Sequence, residues 1–253
     1  MGRVQDKIIV AELCGTIVGD GWIQSNEQSF FIAGDVSEDK PYYDIHLKKL
    51  FGEVLTEVNP REFPYWRVYG ISIHKKAIIK NILKWGIQKG KKVDIASVPE
   101  WILNGNKNII KAFLRGLFDT DGCVFCQRSY GKYNSEFDKM YHSKIRLRIT
   151  SISPRLIEEI FSLCNRLGLR ITKNKRKGGI RNNKRNSDVY LLNINEMKSI
   201  YKWFNEISPS NPKHITKFEV WKKFGFCPPE TTIKQREEML KNNLNPYNLY
   251  KQG

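Results

Sequence analysis

The sequence lacks the features that mark several common classes of protein. It contains no run of about 18 apolar residues, so we expect no transmembrane helix. Its first residues do not form a signal-peptide pattern, which predicts an intracellular location. The five cysteines are odd in number and scattered along the chain. This distribution argues against a secreted scaffold held by disulfides.

Acidic residues are also scarce relative to basic ones. The 253 residues include 26 Asp and Glu against 43 Lys and Arg, which gives a net charge of +17. Such an excess is typical of proteins that bind a polyanion, above all nucleic acid. Apolar residues make up 40% of the chain and aromatic residues 12%, so the low-hydrophobicity signature of disorder is absent. We therefore predict a folded protein with a nucleic-acid partner.

Two short segments, residues 13–21 and 114–122, resemble each other, and each ends in Asp-Gly. They are offset by 101 residues, which is the scale of one small domain. Both predict an apolar helix with two small residues four positions apart, on one helix face. These small residues are Gly15 and Gly19 in the first segment and Gly116 and Thr120 in the second. Since small residues let two helix backbones approach closely, we predict that the two helices pack together.

This packing would bring Asp20 and Asp121 side by side at the carboxyl ends of the two helices. Both the helix dipoles and the mutual repulsion of the carboxylates disfavour that arrangement unless a cation lies between them. Oxygen ligands of this kind suit Mg²⁺. Asp119 is not counted as a cation-binding carboxylate, because the matching position in the first segment is Val18. The simpler alternative is that each Asp-Gly pair only ends a helix in a turn.

Hydrophobic periodicity predicts the same order of elements, α-β-β-α-β-β-α, in both halves of the chain. We place the first half at residues 1–104, the second at 105–225 and a C-terminal extension at 226–253. In the first half we expect helices over 8–19, 39–58 and 75–85 and strands over 22–24, 30–32 and 66–73, which are three of the four strands in this order. In the second we expect helices over 109–119, 153–168, 196–206 and 212–224 and strands over 123–128, 144–150, 169–174 and 189–194. A further helix is expected over 233–241, in an extension that the sequence assigns to neither half.

At the two motifs the chain resembles the LAGLIDADG homing endonucleases of the monomeric type, which carry two motifs in one chain. The resemblance spans most of residues 8–225 and is closer in the second motif, since the first departs at Thr16 and Val18. It implies an α+β fold of two pseudosymmetric halves, with the motif helices at their interface and the antiparallel sheets forming a saddle. It also implies metal-dependent cleavage of both DNA strands within a long recognition site, across a narrowed minor groove.

The resemblance further implies which residues form the centre. Asp20 and Asp121 would be the catalytic and metal-binding carboxylates, with the carbonyls of Gly19 and Thr120 as further ligands. The cofactor would be Mg²⁺, which Mn²⁺ or Ca²⁺ can replace in such a site. The protein would be an intron-encoded or intein-encoded monomer that binds double-stranded DNA.

The chain departs from the family at one point. Many members place Lys or Gln near the end of the strand before the second helix of each half. Here those positions fall at residues 34–35 and 151–152, and neither pair contains a lysine. A basic residue that assists catalysis would have to come from elsewhere, and the candidates are Lys75, Lys76, Lys144, Arg146 and Arg148.

The predicted strand over 144–150 alternates basic and apolar residues, so its basic side chains share one face. Such a face suits a DNA groove, although an ordinary solvated face is the alternative. Arginine can hydrogen-bond guanine edges, whereas lysine more often contacts phosphate. The predicted DNA contacts are Gln24, Gln28, Arg67, Arg128, Lys144, Arg146, Arg148, Lys175, Arg176, Lys177, Arg181, Lys184 and Arg185.

Two other functions are compatible with this fold. One is an intron RNA maturase that aids splicing of its own intron, alone or combined with nuclease activity. The other is a DNA-binding regulator that has lost cleavage. Retention of both Asp20 and Asp121 favours the nuclease, because clustered carboxylates beside phosphates do not help a protein that only binds. Whether splicing of a host intron requires the protein would test the maturase alternative.

Overall fold

Each half begins with the helix that carries its motif. The computed structural model describes residues 4–90, 96–181 and 184–250. The elements of the first half are, in order, α1 (Val4–Asp20), β1 (Gly21–Ile23), β2 (Phe30–Asp35), a π-helical turn (Tyr42–Leu47) that continues into α2 (Lys48–Val54), β3 (Arg61–Phe63), β4 (Val68–Ile73) and α3 (Lys76–Lys84).

A short helix, α4 (Glu100–Leu103), connects the halves. The second half then contains α5 (Lys107–Asp121), β5 (Gly122–Gln127), α6 (Glu136–Met140), β6 (Lys144–Ser151), α7 (Pro154–Arg166), β7 (Thr172–Arg176), β8 (Ile180–Arg181), β9 (Lys184–Arg185), β10 (Val189–Ile194), α8 (Met197–Lys202) with a π-helical turn (Trp203–Ile207), and α9 (Pro212–Phe224). After it come α10 (Ile233–Leu240) and a 3₁₀ turn (Pro246–Tyr250).

The two halves have matching antiparallel sheets of four strands. The strand orders are β1-β2-β4-β3 and β5-β6-β10-β7, so the strand after the motif helix forms one edge of each sheet. In each half that strand starts at the glycine that follows the motif aspartate, Gly21 or Gly122. One face of each sheet is apolar and packs on helices, as Ile32 and Ile149 do. The predicted α+β fold with repeated halves is confirmed.

The helices α1 and α5 pack so closely that their backbones touch. A Cβ atom placed on Gly15 would collide with the carbonyl oxygen of Phe113. A Cβ atom placed on Gly116 would collide with the carbonyl oxygen of Glu12. The 101-residue offset relates these two contacts, so the helices meet about a pseudo-twofold axis. The prediction that the small residues allow close packing is confirmed.

A buried ion-pair network lies beside this contact. The Glu12 side chain, only 3% exposed, is 2.6 Å from Nε2 of His46 and accepts a hydrogen bond from Arg115 of α5. Burial alone would raise the pKa of Glu12, but the hydrogen bonds from His46 and Arg115 outweigh it and hold that pKa below its ordinary value. The carboxylate therefore stays ionised and connects α1 both to α5 and to the helix that follows β2.

Several elements differ from those predicted by periodicity. The helix expected over 39–58 starts later, as a π-helical turn at Tyr42, and ends at Val54. The short strand β3 has no alternating apolar pattern and is not predicted; β4 starts at Val68 and β7 at Thr172. The loops expected over 129–142 and 175–186 contain α6 and the β8–β9 hairpin. Within the described residues, none of the helices is long and apolar enough to span a membrane.

The C-terminal extension packs on the second half and also contacts the first. Helix α10 begins at a capping box formed by Thr232 and Gln235 and lies against α9. Its Arg236 is fully buried and donates to the Thr216 hydroxyl of α9 at 2.8 Å. The same guanidinium donates to both carboxylate oxygens of Glu38 in the first half, at 3.1 and 3.2 Å. The extension therefore connects both halves through Arg236.

We predict that Gly15→Ala destabilises the protein by about 2 kcal/mol, because the added methyl group forces the two backbones apart. Gly52→Ala in α2 is the matched control, since no atom lies within 4 Å of the added methyl group. This control should be neutral or stabilising by up to about 1 kcal/mol, as expected for Gly→Ala in a helix. Urea unfolding measures both, and equal stability of the two variants would contradict the packing described here.

Candidate active site and nucleic-acid interface

The carboxyl ends of α1 and α5 lie against each other, as the motif helices cross. A Cβ atom placed on Gly19 would collide with the Thr120 hydroxyl and lie 3.6 Å from the carboxyl carbon of Asp121. Asp20 and Asp121 are both half-buried at the last position of their helices. The packing of the two motifs thus brings the two predicted catalytic segments together.

Near the helix ends lies a buried phenol, Tyr43, whose pKa responds to nearby carboxylates. Tyr43 is fully buried, and within the described part of the chain its hydroxyl has no hydrogen-bond partner. Burial raises its pKa well above the ordinary value, and the charges of Asp20, Asp39 and Asp121 raise it further. Asp20, Asp39 and Asp121 therefore all lie close enough to this phenol for their charges to act on it.

The end of α5 also opens onto a cavity of about 420 Å³. Gly19 and Asp121 line one side of it, and Thr150, Ser151 and Arg176 of the second sheet line another. A carboxylate and a guanidinium thus face the same space, which is large enough for part of a ligand to enter.

The donors at this place fit a hard divalent cation that is shared with a substrate. Across residues 4–90, 96–181 and 184–250, no three His, Cys, Asp or Glu side chains are placed to hold a metal ion. Asp20 and Asp121 would therefore provide two carboxylates, which is the number that Mg²⁺ commonly takes from a protein alongside water and substrate phosphate oxygens. The Thr120 carbonyl, a predicted ligand, lies 3.4 Å from Nζ of Lys213, so an ammonium group competes for that oxygen.

Asp119, which the motif comparison set aside, is buried and hydrogen-bonded within the protein. Its carboxylate accepts hydrogen bonds from the backbone N–H groups of Ser210 and Asn211, at 2.8 and 3.1 Å. The Asn211 side chain in turn donates to the Asp119 carbonyl and to Asp39 Oδ1 of the first half, at 2.9 and 2.7 Å. Burial raises the pKa of Asp119 to about 7. Asp119 thus joins the segment before α9 to the interface between the halves.

Lys213, which the sequence analysis did not identify, lies next to the candidate centre. Its Nζ atom is 2.7 Å from Asp39 Oδ1, in addition to its contact with the Thr120 carbonyl, and its side chain is 14% exposed. Asp39 Oδ2 accepts from the backbone N–H of Asp35, at the end of β2. A lysine therefore reaches the strand end where the sequence has none, but it comes from α9. No local pattern marks it, because 92 residues separate Lys213 from Asp121.

The five basic residues suggested for this role lie elsewhere. Lys75 and Lys76 are exposed at the start of α3. Lys144, Arg146 and Arg148 lie on the open face of the second sheet, where the register pairs Arg148 with Cys123 and Asn193. There Arg146 donates to Asn195 at 2.7 Å and Arg148 to Asn193 at 2.8 Å. These guanidinium groups are held in place on a face that helices do not cover.

The remaining predicted DNA contacts in the second half do not share one face of the sheet. Arg176 lines the cavity beside Asp121, and Lys177 is exposed after β7. Lys175 instead pairs in register with Tyr190, on the helix side of the sheet, and lies 2.8 Å from Asp188. Arg128 lies over the Tyr250 ring of the extension. The side chains of the other three contacts lie outside what the structure describes, although their backbone forms the β8–β9 hairpin: Arg181, Lys184 and Arg185.

The three predicted contacts of the first half lie in turns. Gln24 closes the β1–β2 turn through its backbone, and the Gln28 side chain accepts from Asn26 at 3.2 Å. Arg67 lies in the β3–β4 turn with a positive φ of 54°. None of these three residues lies within a strand of the first sheet.

Residues 108–208 match the family described as the LAGLIDADG-like domain, and this segment lies within the second half. The segment includes most of α5, the helix that ends at Asp121, together with the second sheet. The family resemblance inferred from the motifs is therefore confirmed.

Solved structures extend the likeness to both halves. Mesophilic variants of the homing endonuclease I-DmoI match with a TM-score of 0.51 and 18% identity, over 80% of this chain and 96% of theirs. I-DmoI in complex with DNA and Mn matches with a TM-score of 0.50 and 20% identity, over 81% of this chain and 98% of that one. At this identity the likeness shows the shared fold, which is that of a two-motif LAGLIDADG endonuclease.

The curated proteins that match by sequence include one much longer protein. It is the replication factor C small subunit of Methanocaldococcus jannaschii, 29% identical over 162 residues. The match covers 60% of this chain but only 8% of that protein. The similarity therefore concerns a small part of a much longer polypeptide.

Proposed function

We propose that this chain is a site-specific, Mg²⁺-dependent endonuclease that cuts both strands of duplex DNA. The observation that carries the proposal is the meeting of the ends of α1 and α5, where Asp20 and Asp121 act on the same buried phenol. Carboxylates gathered at helix carboxyl ends are unfavourable without a cation. In a protein of net charge +17 that shares its fold with I-DmoI, a metal shared with a DNA phosphate is the simplest reason for this arrangement.

The protein groups would divide the reaction between them. A bound divalent cation activates water and stabilises the leaving oxygen in phosphodiester cleavage. Asp20 and Asp121 would hold it at the interface, so that each half contributes one carboxylate. Arg146 and Arg148, fixed by their asparagine partners, would orient the duplex on the second sheet.

Lys213 would provide the positive charge that the strand ends lack. Its pairing with Asp39 compensates one of the three carboxylates whose charges act on Tyr43. Its ammonium group also lies against the carbonyl that precedes Asp121, close to where a phosphate would bind. Positive groups fixed at such places stabilise the charge that develops in the transition state.

Replacing either aspartate should abolish cleavage while leaving DNA binding in place. A duplex site is first selected by affinity from a random pool, and cleavage with Mg²⁺ is then measured for the wild type, Asp20→Asn and Asp121→Asn. We expect each variant to cut at least about 100-fold more slowly, the effect of losing one stabilising group at a reacting phosphate. Glu57→Gln, an exposed change in the first half, is the control. Cleavage that persists in both aspartate variants would overturn the assignment.

Lys213→Met should slow cleavage about 100-fold at saturating DNA, whereas Lys213→Arg should retain part of the rate. The matched control on the same helix is Lys222→Met, whose side chain is 53% exposed and pairs with Glu219. Thermal unfolding of each variant separates this effect from the loss of the Asp39 pairing. A cleavage rate for Lys213→Met within twofold of the control would show that the lysine has only a structural role.

A further inference from the structure

The open faces of the two sheets differ in chemistry. We define the aromatic patch as Trp22, Phe31, Phe63, Tyr65 and Trp66, which come from β1, β2, β3 and the β3–β4 turn. The Phe31 ring is its centre, with ring centroids 6.0 Å from Trp22, 6.2 Å from Phe63 and 6.0 Å from Trp66. Trp22, Trp66 and Tyr65 are 43%, 59% and 93% exposed. The patch therefore crosses the first sheet and presents ring surface to solvent.

Three polar side chains border the rings on this face: Ser72, Arg61 and His74, whose ring centroid lies 5.6 Å from that of Phe31. The register places Ser72 beside Phe31, and Ala33 beside Gly70 in the next row. The Ser72 hydroxyl already accepts a hydrogen bond from Arg61, whose guanidinium lies over the Phe63 ring. The rings of Trp22, Phe31 and Phe63 therefore present mainly apolar surface to a base, with Arg61 and His74 in contact with them.

The equivalent rows of the second sheet are polar. Arg146 and Arg148 lie there with their asparagine partners, and Asn193 also donates to Asn174 at 3.0 Å. Guanidinium and amide groups fixed in this way suit the donor and acceptor pattern of the major groove. The pseudosymmetric sheets therefore present two kinds of surface, one apolar and one that forms hydrogen bonds.

The position of the patch decides what would cover it. Trp22 is two residues beyond Asp20, on the strand that leaves the candidate centre. Any duplex cut at that centre and lying along both sheets would contact the patch.

The apolar group that a base pair exposes in the major groove is the C5 methyl group of thymine. Exposed apolar surface of this extent is unusual on a protein unless a partner covers it. The surrounding charge of +17 favours a polyanionic partner.

We infer that the aromatic patch selects the half-site that it covers through the methyl groups of thymine, whereas the second sheet selects its half-site through hydrogen bonds to base edges. The inference rests on the proposed function, since it assumes that duplex DNA lies along both sheets. It assigns sequence selectivity in the first half to Trp22, Phe31 and Trp66.

The test uses binding without divalent metal, so it does not depend on cleavage. Duplex sites are selected from a random pool by the wild type and by Arg146→Ala. The half-site whose preferences disappear in Arg146→Ala belongs to the second sheet, and the other belongs to the first. Thymine is then replaced by deoxyuridine, which lacks only the methyl group, in one half-site at a time, and affinity is measured by fluorescence anisotropy.

We expect deoxyuridine in the first half-site to weaken wild-type binding about fourfold for each contacted methyl group, the value of one buried carbon. The same replacement in the second half-site should change affinity less than twofold. Trp22→Ala and Trp66→Ala should bind the parent site more weakly and lose the sensitivity to deoxyuridine. Ile45→Ala, which removes an exposed apolar side chain on the helix side of the first half, is the control and should behave as the wild type.

Three results would overturn the inference. Wild-type affinity that is unchanged by deoxyuridine in the first half-site would remove the role of the methyl groups. Tryptophan variants that stay as sensitive as the wild type would remove the role of the patch. Tighter binding of the single strand than of the duplex would show that the rings stack on unpaired bases instead. Failure to select any duplex sequence would be different, because it would contradict the proposed function itself.

Discussion

The contact between the backbones of α1 and α5 is the constraint on which the rest of the structure depends. It requires glycine at positions 15 and 116, where any side chain would meet a carbonyl oxygen of the other helix. Because the contact is reciprocal, it fixes both the distance between the helices and their relative register. The contact therefore brings the two helix ends, with Asp20 and Asp121, close together. The first strand of each sheet begins directly after these ends.

Much of this arrangement could be predicted from sequence because its signals are local. The motif helices, the strands that follow them and Asp20 and Asp121 are marked by periodicity and by the internal repeat. The comparison with Val18 also separated Asp119 from the matched pair, in agreement with its burial. Lys213 and Asn211 could not be found in this way, since only the tertiary fold brings α9 to Asp39. The three-residue strand β3 was missed because it has no apolar alternation.

The symmetry of the fold does not extend to its surfaces or its connections. The open face of the first sheet is aromatic, and that of the second carries arginine and asparagine. Arg236, Lys213 and Asn211, all from the last fifth of the chain, contact carboxylates of the first half, and the described residues of the first half include no equivalent extension. A single chain allows this divergence, because each half can change its own surface while the glycine contact between them stays fixed.

In the proposed function the two halves share one metal between Asp20 and Asp121. A crystal structure of the protein on its selected duplex with Mn²⁺, with anomalous scattering to locate the metal, tests this sharing. We expect an anomalous peak within about 2.5 Å of a carboxylate oxygen of each aspartate and of a phosphate oxygen. A peak bound by neither aspartate, or a duplex whose phosphates lie away from both helix ends, would contradict it.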